Sequence, residues 1–84
     1  MSTLPVEQTL DCRGLSCPLP ILKTKKTVNN MADGEVLMLL TTDPGSPGDV
    51  AAWAKKTGNK VLSSQAEAGV YTFYIKKTLL RGMV

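Results

Sequence analysis

The chain has 84 residues, of which 43% are hydrophobic and 20% charged, and its formal net charge is +3. This length predicts one domain, residues 1–84, and this composition excludes a disordered chain. Histidine is absent and only two cysteines are present, which excludes catalytic sites built on imidazole and leaves too few ligands for an ordinary zinc site.

The first half of the chain predicts a strand, a helix and a second strand. Residues 4–10 read as a short strand and residues 11–16 as a turn-like link. A helix is predicted over residues 18–31, because Pro18 and Pro20 would fall in its first turn, where a proline removes no needed hydrogen bond. Residues 35–42 are almost continuously apolar and predict a central strand. One face of this helix is predicted to carry Ile21, Thr24, Lys25, Val28, Met31 and Ala32, with the stem of Lys25 lying at its edge.

The second half predicts another helix and a hairpin. Ser46 is the expected N-cap of a helix over residues 47–57, which Gly58 ends. Two strands are predicted over residues 60–66 and 70–76, joined by a short link. The inner side of the second helix is predicted at Val50, Ala51, Trp53 and Ala54.

The element order β-α-β-α-β-β predicts an α/β (α+β) fold, a two-layer sandwich. Right-handed crossovers place both helices on one face of a four-stranded mixed sheet, with the fourth strand antiparallel to the third. The predicted core residues are Leu37, Leu39, Val50, Trp53, Val61, Phe73 and Ile75.

The sequence gives no sign of export or membrane insertion. The longest apolar run, residues 36–40, is far shorter than the roughly 20 residues that cross a bilayer. The N-terminal MSTLPVEQTLD lacks the basic start and apolar core of a signal peptide. We therefore expect a cytoplasmic protein, in a compartment where cysteines are reactive or inert more often than they form structural disulfides.

The stretch CRGLSCPLP, residues 12–20, places Cys17 where the first link meets the predicted helix. A helix N-terminus carries partial positive charge, which favours a thiolate. Residues 12–32 add four basic side chains and no acidic one: Arg13, Lys23, Lys25 and Lys26. From spacing alone, a reactive Cys17 and a small buried one fit equally well. Cys12 fits a core position, a surface position or a thiol that resolves a modified Cys17 as a disulfide.

The run LDCRGLSCPLPILKTKKTV, residues 10–28, resembles the signature of the TusA/SirA family of small sulfur-carrier proteins. That signature has a leucine–aspartate pair, a glycine, then Cys-Pro-x-Pro and a helix with paired basic residues. The later TTDPGS, residues 41–46, resembles the family's aspartate–proline turn. The predicted element order also agrees with the family's fold.

The resemblance implies that Cys17 carries sulfane sulfur as a persulfide, without any separate cofactor. The sulfur would come from a donor protein of the cysteine desulfurase or rhodanese type and pass to an acceptor protein, in a sulfurtransferase-type relay rather than as a stand-alone enzyme. Such relays serve tRNA thiolation, cofactor assembly or sulfur oxidation. No role is implied for Cys12, and Lys25 is expected on a solvated helix face. The expected supporting or partner-binding residues are Arg13, Pro18, Pro20, Lys23 and Lys26.

An RNA-binding or regulatory module is the alternative from a different class. The chain is basic, but a net charge of +3 is small, and one Trp and two Tyr do not form an aromatic platform among basic residues. We therefore expect this protein to bind protein partners rather than nucleic acid. We also expect a monomer that does not bind a membrane.

Overall fold

The computed structural model describes residues 6–16 and 19–78, and its elements follow the predicted order. They are β1 (Gln8–Cys12), α1 (Leu19–Asn29), β2 (Val36–Thr41), α2 (Ser46–Thr57), β3 (Lys60–Glu67) and β4 (Val70–Lys76). The Ala68–Gly69 link between β3 and β4 is a two-residue turn in which both residues have positive φ, 52° and 80°. No helix in these described ranges is long and apolar enough to span a membrane.

The strands form one mixed sheet in the order β1-β2-β4-β3. β1 runs parallel to β2, and β4 runs antiparallel to both β2 and β3. The apolar run of β2 is thus a central strand, as predicted. The helices contact each other, and both contribute to one hydrophobic cluster on one face of the sheet. The predicted two-layer sandwich is confirmed.

The core lies between this face and the helices. Leu37 and Leu39 of β2 pair with Ile75 and Phe73 of β4, and all four are buried. Val50 and Trp53 of α2 are buried with them, as expected. The seventh predicted core residue, Val61, is only partly buried, because it lies on β3 at the edge of the sheet.

The inner face of α1 differs from the prediction. Its buried residues are Pro20, Thr24 and Val28, at intervals of four, and Met31 beyond the helix end is also buried. Lys25 is exposed, as expected of a solvated helix face, because it lies one position past Thr24 around the helix. The predicted face also included Ile21, which is half-buried, Ala32, which is exposed, and, on α2, Ala51, which is exposed.

Several element boundaries also differ from the prediction; α1, for example, ends at Asn29 rather than at residue 31. Ser46 is not the N-cap of α2: Gly45 is, without a side-chain cap, and Ser46 is the buried first residue of the helix. The turn is stabilised instead by Asp43, whose backbone oxygen accepts from the Ser46 N–H at 2.9 Å. β1 spans Gln8–Cys12 rather than residues 4–10, and its last residue, Cys12, pairs with Thr41 on β2; residues 4 and 5 of the predicted range lie outside the described residues.

Candidate functional site

The loop between β1 and α1 contains the predicted reactive cysteine. Cys17 and Pro18 themselves lie outside the described residues. The residues on either side of them are described: Ser16 ends the first part of the loop, and Leu19 is the first residue of α1. The Leu19 N–H donates to the Ser16 carbonyl oxygen at 2.9 Å, so Ser16 and Leu19 are held together.

Arg13 is bound to Asp11 at the start of this loop. Its Nε donates to Oδ1 at 2.9 Å, and its Nη2 donates to Oδ2 at 2.8 Å. The Arg13 backbone N–H also donates to Oδ1, at 3.0 Å. These hydrogen bonds from Arg13 lower the pKa of the Asp11 carboxyl from 3.8 to about 2. The positive charge of Arg13, predicted to act on Cys17 or on partners, is therefore largely compensated by a neighbouring carboxylate.

A tight turn follows Asp11 and depends on Gly14. The Leu15 N–H donates to the Cys12 carbonyl oxygen at 3.2 Å, and Gly14 has φ +84°. Positive φ at the third residue is what a type II turn requires, and glycine adopts it without a steric penalty. The Gly14 N–H donates to the side-chain hydroxyl of Thr42 at 2.8 Å. The loop is thus attached to the segment that follows β2.

In the first two turns of α1, Pro20 is buried and a row of leucine and lysine side chains is exposed. Pro20 is fully buried, and its carbonyl oxygen accepts from the Thr24 hydroxyl at 2.7 Å. Leu19 and Leu22 are exposed, by 44% and 54%, and Lys23 and Lys26 are exposed as well. Residues at these intervals of three and four share one helix face. We call the four residues Leu19, Leu22, Lys23 and Lys26 the α1 stripe.

Cys12 is a core residue. Its exposure is 0%, and it belongs to the central hydrophobic cluster. Burial raises the pKa of its thiol, an effect only partly offset by the charge of Lys23. A neutral, enclosed thiol is a poor nucleophile. Of the three roles that the sequence left open for Cys12, the structure favours the first.

Sequence reasoning missed Asp11, Thr42 and the two exposed leucines of the stripe. The signal for Leu19 and Leu22 was available, because they share the i, i+3, i+4, i+7 spacing with Lys23 and Lys26. The role of Thr42 had no local signal. Within the described ranges there is no cluster of three or more His, Cys, Asp or Glu side chains that could hold a metal ion.

Known proteins resemble this chain over nearly its whole length. The family model described as Sulfurtransferase TusA matches residues 8–77. Sulfur carrier protein TusA of Allochromatium vinosum is 53% identical over 72 residues, covering 86% of this chain and 95% of that protein. A putative sulfur carrier protein of Aquifex aeolicus is 44% identical over 77 residues, covering 92% of this chain but 39% of that longer protein.

One solved structure supports the fold. The crystal structure of a SirA-like protein from Desulfitobacterium hafniense matches with a TM-score of 0.76 and 23% identity, covering 84% of this chain and 97% of that one. The family match extends over both loops of the site, residues 13–16 and 42–45.

Proposed function

This chain belongs to the TusA family of sulfur carrier proteins, and we propose that it carries sulfane sulfur as a persulfide on Cys17. The main support is the burial of the other thiol. The chain has two cysteines, and a sulfur carrier needs one that a partner can reach. Cys12 is fully enclosed in the core, which leaves Cys17, in the loop before α1, as the group for the chemistry.

The transfer is an exchange between sulfur atoms. The Cys17 thiolate attacks the outer sulfur of a persulfide on the donor protein. A new S–S bond forms at Cys17, the S–S bond of the donor breaks, and the donor cysteine leaves as a thiolate. Delivery repeats the step in the other direction: an acceptor thiolate attacks the outer sulfur, and Cys17 leaves as a thiolate. The sulfane sulfur is passed on without an external oxidant or reductant.

Such a step requires a stable thiolate and steric access, and it proceeds without an imidazole base. The partial positive charge at the N-terminus of α1 and the neighbouring lysines supply the field. Arg13 contributes little to it, because Asp11 compensates its charge. This chemistry agrees with a carrier that depends on donor and acceptor proteins rather than with an enzyme acting alone.

The α1 stripe is the surface that we propose for these partners. It begins two residues after Cys17 and combines two exposed leucines with two lysines. The surface that complements it is an apolar pocket with acidic side chains at its rim. We infer that donor and acceptor, in turn, present such a pocket beside their reactive thiol. A donor of the cysteine desulfurase or rhodanese type remains part of this proposal.

Intact mass tests the function. The protein is incubated with a persulfide donor, and the wild type is expected to gain the mass of one sulfur atom, which a thiol reductant removes. Cys17→Ser is expected to gain none, since a hydroxyl forms no persulfide. Cys12→Ala is the matched control and is expected to gain one sulfur. Loading of Cys17→Ser, or loss of loading in a folded Cys12→Ala, would overturn the proposal.

A further inference from the structure

One hydrogen bond joins the two loops at this end of the sheet. The strands β1 and β2 are parallel neighbours, so the loops that leave their carboxyl ends lie side by side. The Gly14 N–H in the first loop donates to Oγ1 of Thr42 in the second at 2.8 Å, across 28 positions of sequence. Thr42 directly follows β2 and is half-buried.

Each loop is also stabilised internally. In the first, the turn from Cys12 to Leu15 is closed by a backbone hydrogen bond, and Asp11 accepts from the Arg13 N–H. In the second, the Gly45 N–H donates to Oδ1 of Asp43 at 3.1 Å. The Gly14–Thr42 hydrogen bond therefore connects two ordered turns, and it fixes the first turn relative to the strand end of β2.

We propose that Thr42 is a positioning residue for sulfur transfer. It holds residues 13–16, the described part of the loop that precedes Cys17 in the chain, at a fixed place relative to the central strand. This inference rests on the proposed function. A thiolate that must meet a sulfur atom held on another protein loses rate when its position varies, because reacting atoms need near-contact distance and alignment. Losing a neutral hydrogen bond of this kind corresponds to about a fivefold effect.

The test uses three variants of the full chain. Thr42→Val keeps the branched shape and removes the hydroxyl, while Thr42→Ser keeps the hydroxyl. Thr9→Val is the control: it makes the same change at an exposed position of β1. Amide hydrogen exchange at Gly14 reports the bond directly. It should accelerate about fivefold in Thr42→Val, and remain at the wild-type rate in Thr42→Ser and Thr9→Val.

The kinetic readout is steady-state sulfur transfer from a persulfurated cysteine desulfurase. With Thr42→Val as the sulfur acceptor, the kcat of this transfer should fall about fivefold. The KM of the desulfurase for the variant should stay within twofold of its KM for the wild type, because the α1 stripe is unchanged. Thr42→Ser should restore kcat. Equal kcat values for wild type and Thr42→Val, or a kcat that stays low in Thr42→Ser, would contradict the role of Thr42 without contradicting the proposed function. A wild type that takes up no sulfur would contradict the proposed function, and the role of Thr42 with it.

Discussion

The guanidinium of Arg13 is held by the carboxylate of Asp11 through two parallel hydrogen bonds of 2.9 and 2.8 Å. Both side chains are about half exposed, yet Asp11 also accepts the Arg13 backbone N–H. The pair therefore shapes the start of the loop that leads to Cys17. It also removes from the site a positive charge that the sequence alone assigns to it.

The first prediction concerns the titration of Asp11. Its pKa lies at about 2 because Arg13 donates hydrogen bonds to its charged form. Because the pKa of Asp11 is lowered, the Asp11–Arg13 ion pair is intact at pH values above the usual carboxyl pKa of 3.8. It is lost only as the pH falls through about 2. In Arg13→Gln the pKa of Asp11 should rise toward 3.8, as measured by NMR titration of the carboxyl carbon. A pKa that stays near 2 would mean that other groups stabilise the carboxylate.

The second prediction concerns Cys12. An alkylating reagent should modify one cysteine of the native protein, Cys17, and both cysteines in denaturant, because Cys12 is enclosed. Cys12→Ser should lower the free energy of unfolding by about 1–3 kcal/mol, since it buries a hydroxyl among apolar groups. Cys12→Ala leaves no polar group behind and should cost less. Rapid alkylation of native Cys12 would contradict its place in the core.

Burial of Cys12 also gives a pH dependence of stability. Because the folded state raises the pKa of this thiol, the unfolded chain ionises first as pH rises. The buried neutral thiol of Cys12 therefore stabilises the fold fully at neutral pH, and this stabilisation declines above a pH of about 8.5, where a free thiol titrates. Denaturant midpoints measured at pH 7 and pH 10 should therefore differ more for the wild type than for Cys12→Ala. An equal change in the two proteins would assign the pH effect to other groups.

The third prediction concerns docking by the α1 stripe. Leu22→Ser should raise KM for sulfur uptake from a protein donor about tenfold, because an exposed leucine that a partner covers contributes apolar contact area. Alkylation of Cys17 by a small reagent should not change. Leu62→Ser removes another exposed leucine, on β3, and should leave both quantities as in the wild type.

Because the α1 stripe contains two lysines, binding of partners to it should depend on salt concentration. Uptake from the donor should weaken with added salt, and Lys23→Glu should reduce that salt dependence, since screening acts on the attraction to acidic side chains. Lys56→Glu on α2 is the control. If Lys56→Glu reduces the salt dependence of uptake more than Lys23→Glu does, the partners do not bind at the α1 stripe.

The fourth prediction concerns the hairpin turn. Ala68 has φ 52°, a conformation that costs an alanine about 1 kcal/mol and suits asparagine. Ala68→Asn should raise the free energy of unfolding by about 0.5–1 kcal/mol, measured by denaturant titration. The same substitution at Ala52, exposed within α2, should lower it, because asparagine is a weaker helix former. Equal effects at the two sites would contradict the strained turn.

Most of the fold could be predicted because its signals are local. The apolar run of β2 and the spacing of Val50, Trp53 and Ala54 define their elements without reference to the rest of the chain. The end of β1 could not be predicted in this way. Cys12 belongs to the strand because it pairs with Thr41 on β2, and that pairing is a tertiary contact.

The site was predictable to a smaller extent. Cys17 is predicted from its motif and its place before a helix, and it stays a prediction because it lies outside the described residues. Asp11, which compensates the charge of Arg13, directly precedes the stretch of residues 12–32 without acidic side chains, so the charge of that stretch alone does not reveal the pair. The contact between Gly14 and Thr42 depends on two loops meeting in space, and no local pattern in the sequence reports it.

Delivery of sulfur after the donor has been removed shows whether Cys17 acts as a carrier. The wild type is loaded with sulfane sulfur, purified from the donor, and mixed with an acceptor protein that has a reactive thiol. Mass spectrometry then follows both proteins. We expect this protein to lose the mass of one sulfur atom from Cys17 while the acceptor gains it, and we expect the same of Cys12→Ala. Sulfur that stays on this protein in the presence of a competent acceptor, or that is delivered by Cys17→Ser, would contradict transfer through Cys17.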